Sequence, residues 1–169
     1  MAPNGTPAWK RAVAGFAAQR WGTWLFLHVI PPIDRALMGA SRGRLKVAMG
    51  YNMCLLETVG ARSGAIRATP LLYIEDGERL VLIASKGGAL VHPDWWRNLR
   101  ATPRAVVTFK GRRAAYAAHE AEGAERERLW ARAVEYYPGY ATYQRRAAAR
   151  RIPVVVLTPE AGAASRAGG

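Results

Sequence analysis

The sequence predicts a mainly β (α+β) fold, a small antiparallel barrel with helices around it, and three observations lead there. Short apolar runs recur in pairs, at 53–59 and 67–74, at 71–75 and 79–85, and at 105–110 and 112–120, each pair joined by a short glycine-containing turn. Helical stretches are inserted between these pairs instead of alternating with single strands, which argues against a doubly wound parallel sheet. Half of the 169 residues are apolar, enough to fill one core.

Taken in order, residues 7–28 (PAWKRAVAGFAAQRWGTWLFLH) carry apolar side chains at 9, 13, 16, 17, 21, 24 and 27, with Lys10, Arg11 and Arg20 off that stripe. The period is that of an amphipathic helix. Its cations and its tryptophans, Trp9, Trp21 and Trp24, suit an anionic membrane surface, and its apolar face equally suits a protein partner. A short helix at 33–38 and a basic loop at 41–46 follow. The division expected is a helical segment over 1–44, a barrel domain over 45–160, and an Ala- and Gly-rich tail over 161–169. The longest uncharged run, 21–33 (WGTWLFLHVIPPI), is too short to span a bilayer and is broken by Pro31 and Pro32. It also lacks the flanks of a secretory signal.

Within the barrel, the strand at 53–59 turns through 60–66 into the strand at 67–74, and Asp76-Gly77 turns the next hairpin. Pro93 opens a short helix (PDWWRNLRAT) that Thr102-Pro103 closes, with Asp94 complementing the helix dipole. Lys110-Gly111 turns a further hairpin. Apolar positions 129, 130, 133, 134 and 137 mark one buried face of a helix ended by Pro138, and helical structure resumes over 139–149. The run PVVVL at 153–157 reads as a strand buried on both faces.

A formal charge of +13, from 25 Lys and Arg against 12 Asp and Glu, calls for an anionic partner. Cys54 is the only cysteine, so no intramolecular disulfide and no thiolate metal cluster can form within the chain, and a reducing cytoplasm is the expected setting. No metal site is expected: His28, His92 and His119 stand in unrelated contexts, without HExxH or His–carboxylate spacing. His92 reads as a capping or loop residue, and Cys54 as core.

Two loops carry the chemistry of anion binding. In the turn at 60–67, Gly60 and Gly64 permit close backbone approach, Ser63 can donate, and Arg62 and Arg67 are permanently charged. The spacing is neither that of the P-loop nor that of the dinucleotide fingerprint, and taken alone the turn reads equally as a solvated hairpin loop in a basic protein. At 84–88, ASKGG ends a strand with glycines beside an ammonium, and the helix after Pro93 presents further donors. Trp95 and Trp96 add planar apolar area or, equally, barrel packing. Residues 136–146 (YYPGYATYQRR) place four tyrosines around a helix break, suited to an aromatic or quinoid substrate or to capping the core.

The ordered series TVGARSGAIRATPLLY, ASKGG, HPDWWRNLRATP, YYPGYATYQRR and RRIPVVVL resembles the deazaflavin-dependent nitroreductase family of actinobacterial quinone reductases, over about residues 45–160. The resemblance implies a split β-barrel of the FMN-binding type, coenzyme F420 (8-hydroxy-5-deazaflavin) as cofactor, and hydride transfer from the reduced deazaflavin to a menaquinone-like quinone or a nitroaromatic. The family's cofactor contacts then fall on Ala61, Arg62 and Ser63, on Arg67, Ala68, Thr69, Pro70, Leu71 and Leu72, on Ile83, Ala84, Ser85 and Lys86, on Asp94, Trp95, Trp96, Arg97 and Asn98, and on Tyr140. Its substrate pocket falls on Tyr137, Tyr140, Tyr143, Ser85 and Trp95, with Tyr140, Tyr137 and Ser85 in catalytic roles. The family usually has Gly-Arg-Lys-Ser/Thr-Gly where this chain has Gly60-Ala61-Arg62-Ser63-Gly64, so one cation is kept and one is lost.

The expected location is cytoplasmic, either peripheral on the inner face of the membrane through the helix at 7–28 or with that helix on a protein partner or second subunit, and the expected state is monomer or homodimer. Two other readings compete. One is an FMN- or haem-binding relative on the same barrel, since fold does not fix cofactor. The other is a non-enzymatic basic module for nucleic acid, against which the arginines are scattered over helix, turn and tail instead of forming one motif.

Overall fold

A computed structural model describes residues 51–160; the expected helices at 7–28 and 33–38, the basic loop at 41–46 and the tail at 161–169 lie outside the described residues. The described chain runs β1 (Met53–Val59), β2 (Ile66–Leu72), β3 (Ile74–Asp76), β4 (Arg79–Ile83), a 3-10 turn (Lys86–Gly88), α1 (Asp94–Ala101), β5 (Arg104–Phe109), β6 (Arg112–Glu120), α2 (Gly123–Tyr136), α3 (Gly139–Arg146) and β7 (Val154–Pro159). The strands form one seven-stranded sheet in the order β2-β1-β5-β6-β7-β4-β3, every pairing antiparallel. Its two edge strands, β2 and β3, are separated in sequence by Tyr73 alone. The sheet must therefore curl until its edges approach each other at that residue, which makes it a barrel split along one seam.

The expected run at 67–74 is divided at this seam. The Tyr73 N–H donates to the Asn52 carbonyl at 3.1 Å, outside the β1–β2 ladder, so one strand ends and another begins. Pro93 also differs from expectation: at φ −67°, ψ 152° it caps α1 from outside its first turn. The helix expected at 139–149 stops at Arg146, because Ala148 takes a positive φ of 51°, a conformation that ends helices.

Alternation along β4 and β7 sorts the core into two layers. Leu80, Leu82, Val155 and Leu157 point into the barrel with Cys54, Leu56, Tyr73, Trp95, Trp96, Leu99, Val107 and Tyr116. Val81, Ile83, Val154 and Val156 point the other way, toward Leu129 and Ala133 of α2 and Tyr140 and Tyr143 of α3. The central position of β7, with a layer on each side, is why four consecutive residues, Val154 to Leu157, are all buried. Cys54 is a core residue, and burial pushes its thiol up to about 12, so it stays protonated.

Tyr73 is fully buried and its hydroxyl finds no hydrogen-bond partner among the described residues. A buried unpaired hydroxyl carries a desolvation cost of about 1–2 kcal/mol. Tyr73→Phe is therefore expected to raise the thermal midpoint by several degrees; an unchanged or lower midpoint would show that the hydroxyl has a partner.

At the β3–β4 hairpin, Asp76 accepts from Arg79, from Arg128 at 2.8 Å and from Arg132 at 2.6 Å, while Arg79 also meets Glu125 at 2.8 Å. The Asp76 side chain is only 11% exposed, so this network ties α2 to the hairpin. The hydrogen bond from Arg128, seconded by Arg79, holds the Asp76 carboxyl well below the usual carboxylate range. A depressed carboxyl contributes stability fully above its unfolded value near 3.9 and loses it as pH falls toward the folded value. Asp76→Asn is expected to cost about 2 kcal/mol at neutral pH and to flatten the loss of stability below about pH 4, read by denaturant titration across pH.

Candidate functional site

The β1–β2 hairpin ends in a tight turn over 60–65. The Gly60 N–H donates to the Ala65 carbonyl and the Gly64 N–H to the Gly60 carbonyl, both at 2.8 Å, and Gly64 sits at φ +67°. A Cβ on Gly60 would lie 2.8 Å from Ser63 Oγ and 3.1 Å from the Ala65 carbonyl oxygen, so a side chain there would displace the Ser63 hydroxyl and crowd the turn. Ser63 Oγ accepts from the Ala65 N–H at 3.3 Å, leaving its own proton for a ligand. Ala61, Arg62, Ser63 and Arg67 are all exposed.

The helix α1 holds this turn in place. Asn98 is 7% exposed and Thr58 2%. The Asn98 Oδ1 accepts from the Ala61 N–H at 3.0 Å, and its Nδ2 donates to Thr58 Oγ1 at 3.0 Å. Asn98 thus spends its amide on the protein, as a brace between α1 and the cationic turn. Trp95 and Trp96, on the same helix, are buried in the barrel cluster. Asp94 is exposed and paired with Arg97 at 3.0 Å, one turn on.

The loop after β4 is the second anion-ready segment. Ile83 and Ala84 close β4 within the two core layers, Ser85 is 9% exposed, and Lys86 is held at φ +48°. Arg150, which the sequence reading did not single out, reaches this loop: it donates to the carbonyls of Ser85 and Ala89 at 2.8 Å and of Ala84 at 3.2 Å. The only sequence signal was its place just before the last strand, in RRIPVVVL.

Charge pairing divides the described cations into two groups. Arg79, Arg97, Arg104, Lys110, Arg113, Arg128, Arg132 and Arg151 each meet a carboxylate. Arg62, Arg67 and Lys86 have no carboxylate partner among the described residues, and neither do Arg100, Arg112, Arg145 and Arg150; what sets the first three apart is their place in the two glycine-containing loops. Three cations without carboxylate partners thus stand at two loops, with α1 braced to the first by Asn98 and its tryptophans in the same core cluster as Ala84, an arrangement whose charge suits a polyanion. On β2, an edge strand, Ala68, Thr69, Pro70, Leu71 and Leu72 are half-buried and run on from the turn.

The tyrosines occupy the other core layer. Tyr137, Tyr140 and Tyr143 are each at most 5% exposed, with ring centroids 5.0–6.3 Å apart. The Tyr137 and Tyr143 hydroxyls are 3.0 Å apart. Burial first, and neighbouring phenols second, raise the pKa of Tyr137 and Tyr140 well above the ordinary value, so both keep their protons. The structure does not gather Trp95 into this cluster: the tryptophan and the tyrosines lie on opposite faces of β4. The loop after β4 touches both layers, because Ala84 belongs to the Trp95 cluster and Gly88 packs on Tyr143.

A groove of ≈ 760 Å³ runs between α1, the ends of β6 and β7 and residues 149–151. Of the residues singled out by sequence as cofactor or substrate contacts, only Trp96 lines it. His92, also on its wall, stacks on Trp96 with centroids 4.0 Å apart.

Comparison with known proteins gives a consistent picture. A model of the F420H(2)-dependent quinone reductase family matches residues 33–159. An F420H(2)-dependent quinone reductase of Mycobacterium tuberculosis is 34% identical over 143 residues, covering 80% of this chain and 95% of the relative. Among solved structures, an F420-H2 dependent reductase (FDR-A) superposes with a TM-score of 0.59 at 40% identity, over 63% of this chain and 94% of that one. A structure described as a domain-swapped dimer has a TM-score of 0.61 at 36% identity, over 75% of this chain and 99% of that one.

Proposed function

The chain belongs to the F420H(2)-dependent quinone reductase family, and from that premise we propose that it reduces a menaquinone-like quinone with coenzyme F420 held across the Arg62–Arg67 turn and the Lys86 loop. The protein is an oxidoreductase whose cofactor is coenzyme F420. The observation that carries the site assignment is the set of three uncompensated cations at two loops. They match the charge of a phosphate and polyglutamate tail, and Ser63 retains a donor for it.

When bound in reduced form, the deazaflavin supplies the hydride. Arg62, Arg67 and Lys86 neutralise the tail, and Asn98 fixes the turn that presents two of them. The acceptor is proposed to enter where the loop after β4 meets α3, near Ser85, Tyr137, Tyr140 and Tyr143. Phenols that hold their protons this firmly serve as hydrogen-bond donors to an oxygen gaining negative charge, and the proton finally added to the reduced quinone comes from water. Tyr140→Phe is expected to slow quinone reduction about tenfold with F420 binding intact; an unchanged rate removes Tyr140 from this role. Nitroaromatics, planar and electron-poor, are proposed as further acceptors for the same pocket.

The test is a fluorescence titration with oxidised coenzyme F420 beside FMN at equal salt, followed by quinone turnover. Saturable binding selective for F420 is expected; a preference for FMN would discard the cofactor assignment. A peripheral location on the cytoplasmic face of the membrane is proposed from the cations and tryptophans of residues 7–28. Equal sedimentation with anionic vesicles by the full chain and by a chain lacking residues 1–30 would exclude it. No helix among the described residues is long and apolar enough to cross a membrane.

A further inference from the structure

Lys86, Gly87 and Gly88 all hold positive φ, at 48°, 63° and 82°. For Lys86, which has a Cβ, this conformation is strained, and the loop belongs to no strand ladder that could impose it. Beside the turn's own hydrogen bonds, Gly88 N–H to Ser85 and Ala89 N–H to Lys86, and the packing of Gly88 on Tyr143, the loop is gripped by Arg150. Its Nε–H donates to the Ala89 carbonyl at 2.8 Å, its Nη1 to Ala84 at 3.2 Å and its Nη2 to Ser85 at 2.8 Å, so the guanidinium grips the loop on both sides of Lys86. A planar fork of donors can address three carbonyls at once, which an ammonium at the end of a flexible stem does not reproduce.

The same Nη1 lies 3.3 Å from Nδ1 of His92. A guanidinium only donates, so Nδ1 accepts and the ring proton of neutral His92 sits on Nε2. Around this ring stand Arg150, Glu120 from β6, and Arg97 and Arg100 from α1. The groove that His92 lines also carries His119, Glu122 and Arg151, and it opens the ring to solvent protons. Burial first and Arg150 second lower the His92 pKa, against a smaller opposing effect of Glu120.

We propose that Arg150 is the positioning residue of the Lys86 loop, and that its contact with neutral His92 makes the loop's hold on an anionic cofactor tail depend on pH. The inference rests on the F420 reading above. Protonating Nδ1 turns an acceptor into a donor facing a cation, so the pair becomes repulsive and Lys86 is released. Because the folded value is lowered, the Arg150–His92 hydrogen bond is fully present above the ordinary histidine pKa near 6.5 and breaks as pH falls through the folded value.

The experiment uses the full chain as wild type, Arg150→Lys and His92→Gln. It reads oxidised F420 affinity by fluorescence at about pH 7.5 and pH 5.5, and amide hydrogen exchange of residues 84–89 without cofactor. Arg150→Lys is expected to weaken F420 binding about tenfold at the higher pH and to speed exchange in the loop. Wild type is expected to lose affinity on acidification, and His92→Gln to lose less, the coenzyme's own ionisations being common to both. If wild type binds F420 while Arg150→Lys matches it in affinity and exchange, the positioning role is wrong. An identical pH profile in His92→Gln removes the histidine from it. If wild type does not bind F420, the cofactor reading fails, and the exchange rates still decide whether Arg150 holds the loop.

Discussion

Gly88→Ala is expected to destabilise the protein by about 3 kcal/mol or more and to suppress quinone reduction. Two costs add at this position. At φ +82° any L side chain is strained, and a Cβ would lie 2.7 Å from the Tyr143 carbonyl oxygen and from Arg146 Cβ, and 3.0 Å from Tyr143 Cα. The obstruction is backbone, so relief requires lifting α3 off the loop, and α3 carries Tyr140 and Tyr143. Gly77→Ala is the control: its φ of +65° imposes strain without a neighbour within 4 Å, so about 1 kcal/mol is expected. If chemical denaturation gives the two variants equal losses, α3 does not dock on this loop as described.

The double substitution Arg62→Ala, Arg67→Ala is expected to raise the Kd for coenzyme F420 by about a hundredfold at low salt, roughly tenfold for each charge-assisted hydrogen bond removed. The effect shrinks as salt screens the exposed cations. Stability is expected to hold, because both side chains are exposed and neither has a carboxylate partner among the described residues. A deazaflavin lacking the phosphate and glutamate tail separates the two halves of the site. Its affinity is expected to be unchanged, and an equal weakening for both ligands would place the arginines against the ring system instead of the tail.

The strands were legible because each signal is local. Apolar alternation and the turns at 60–66, Asp76-Gly77 and Lys110-Gly111 place three hairpins to within about three residues, and the run before Leu157 announces an interior strand. The break at Tyr73 was not legible: β-forming residues continue through it, and only closure of the barrel decides that its N–H turns to Asn52. Candidate site residues were nameable as types, since glycine, serine and arginine in one turn suit an anion, although a solvated hairpin loop uses the same residues. Their roles were less so. Asn98 reads as a ligand contact from the motif, and the structure adds a bracing role, its Oδ1 accepting from Ala61 and its Nδ2 donating to Thr58.

The sequence by itself determined the hairpins, the two anion-ready loops, the core role of Cys54 and the motif series that marks the family. Those follow from periodicity, turn chemistry and residue order over short stretches. Only the tertiary structure decided which cations meet a carboxylate among the described residues, that Arg150 grips a loop 65 residues away in sequence, and that Trp95 and the tyrosines face opposite sides of β4. The reason is that pairing and facing depend on strand register and sheet closure. One net charge is compatible with many pairings, and the curled sheet selects among them.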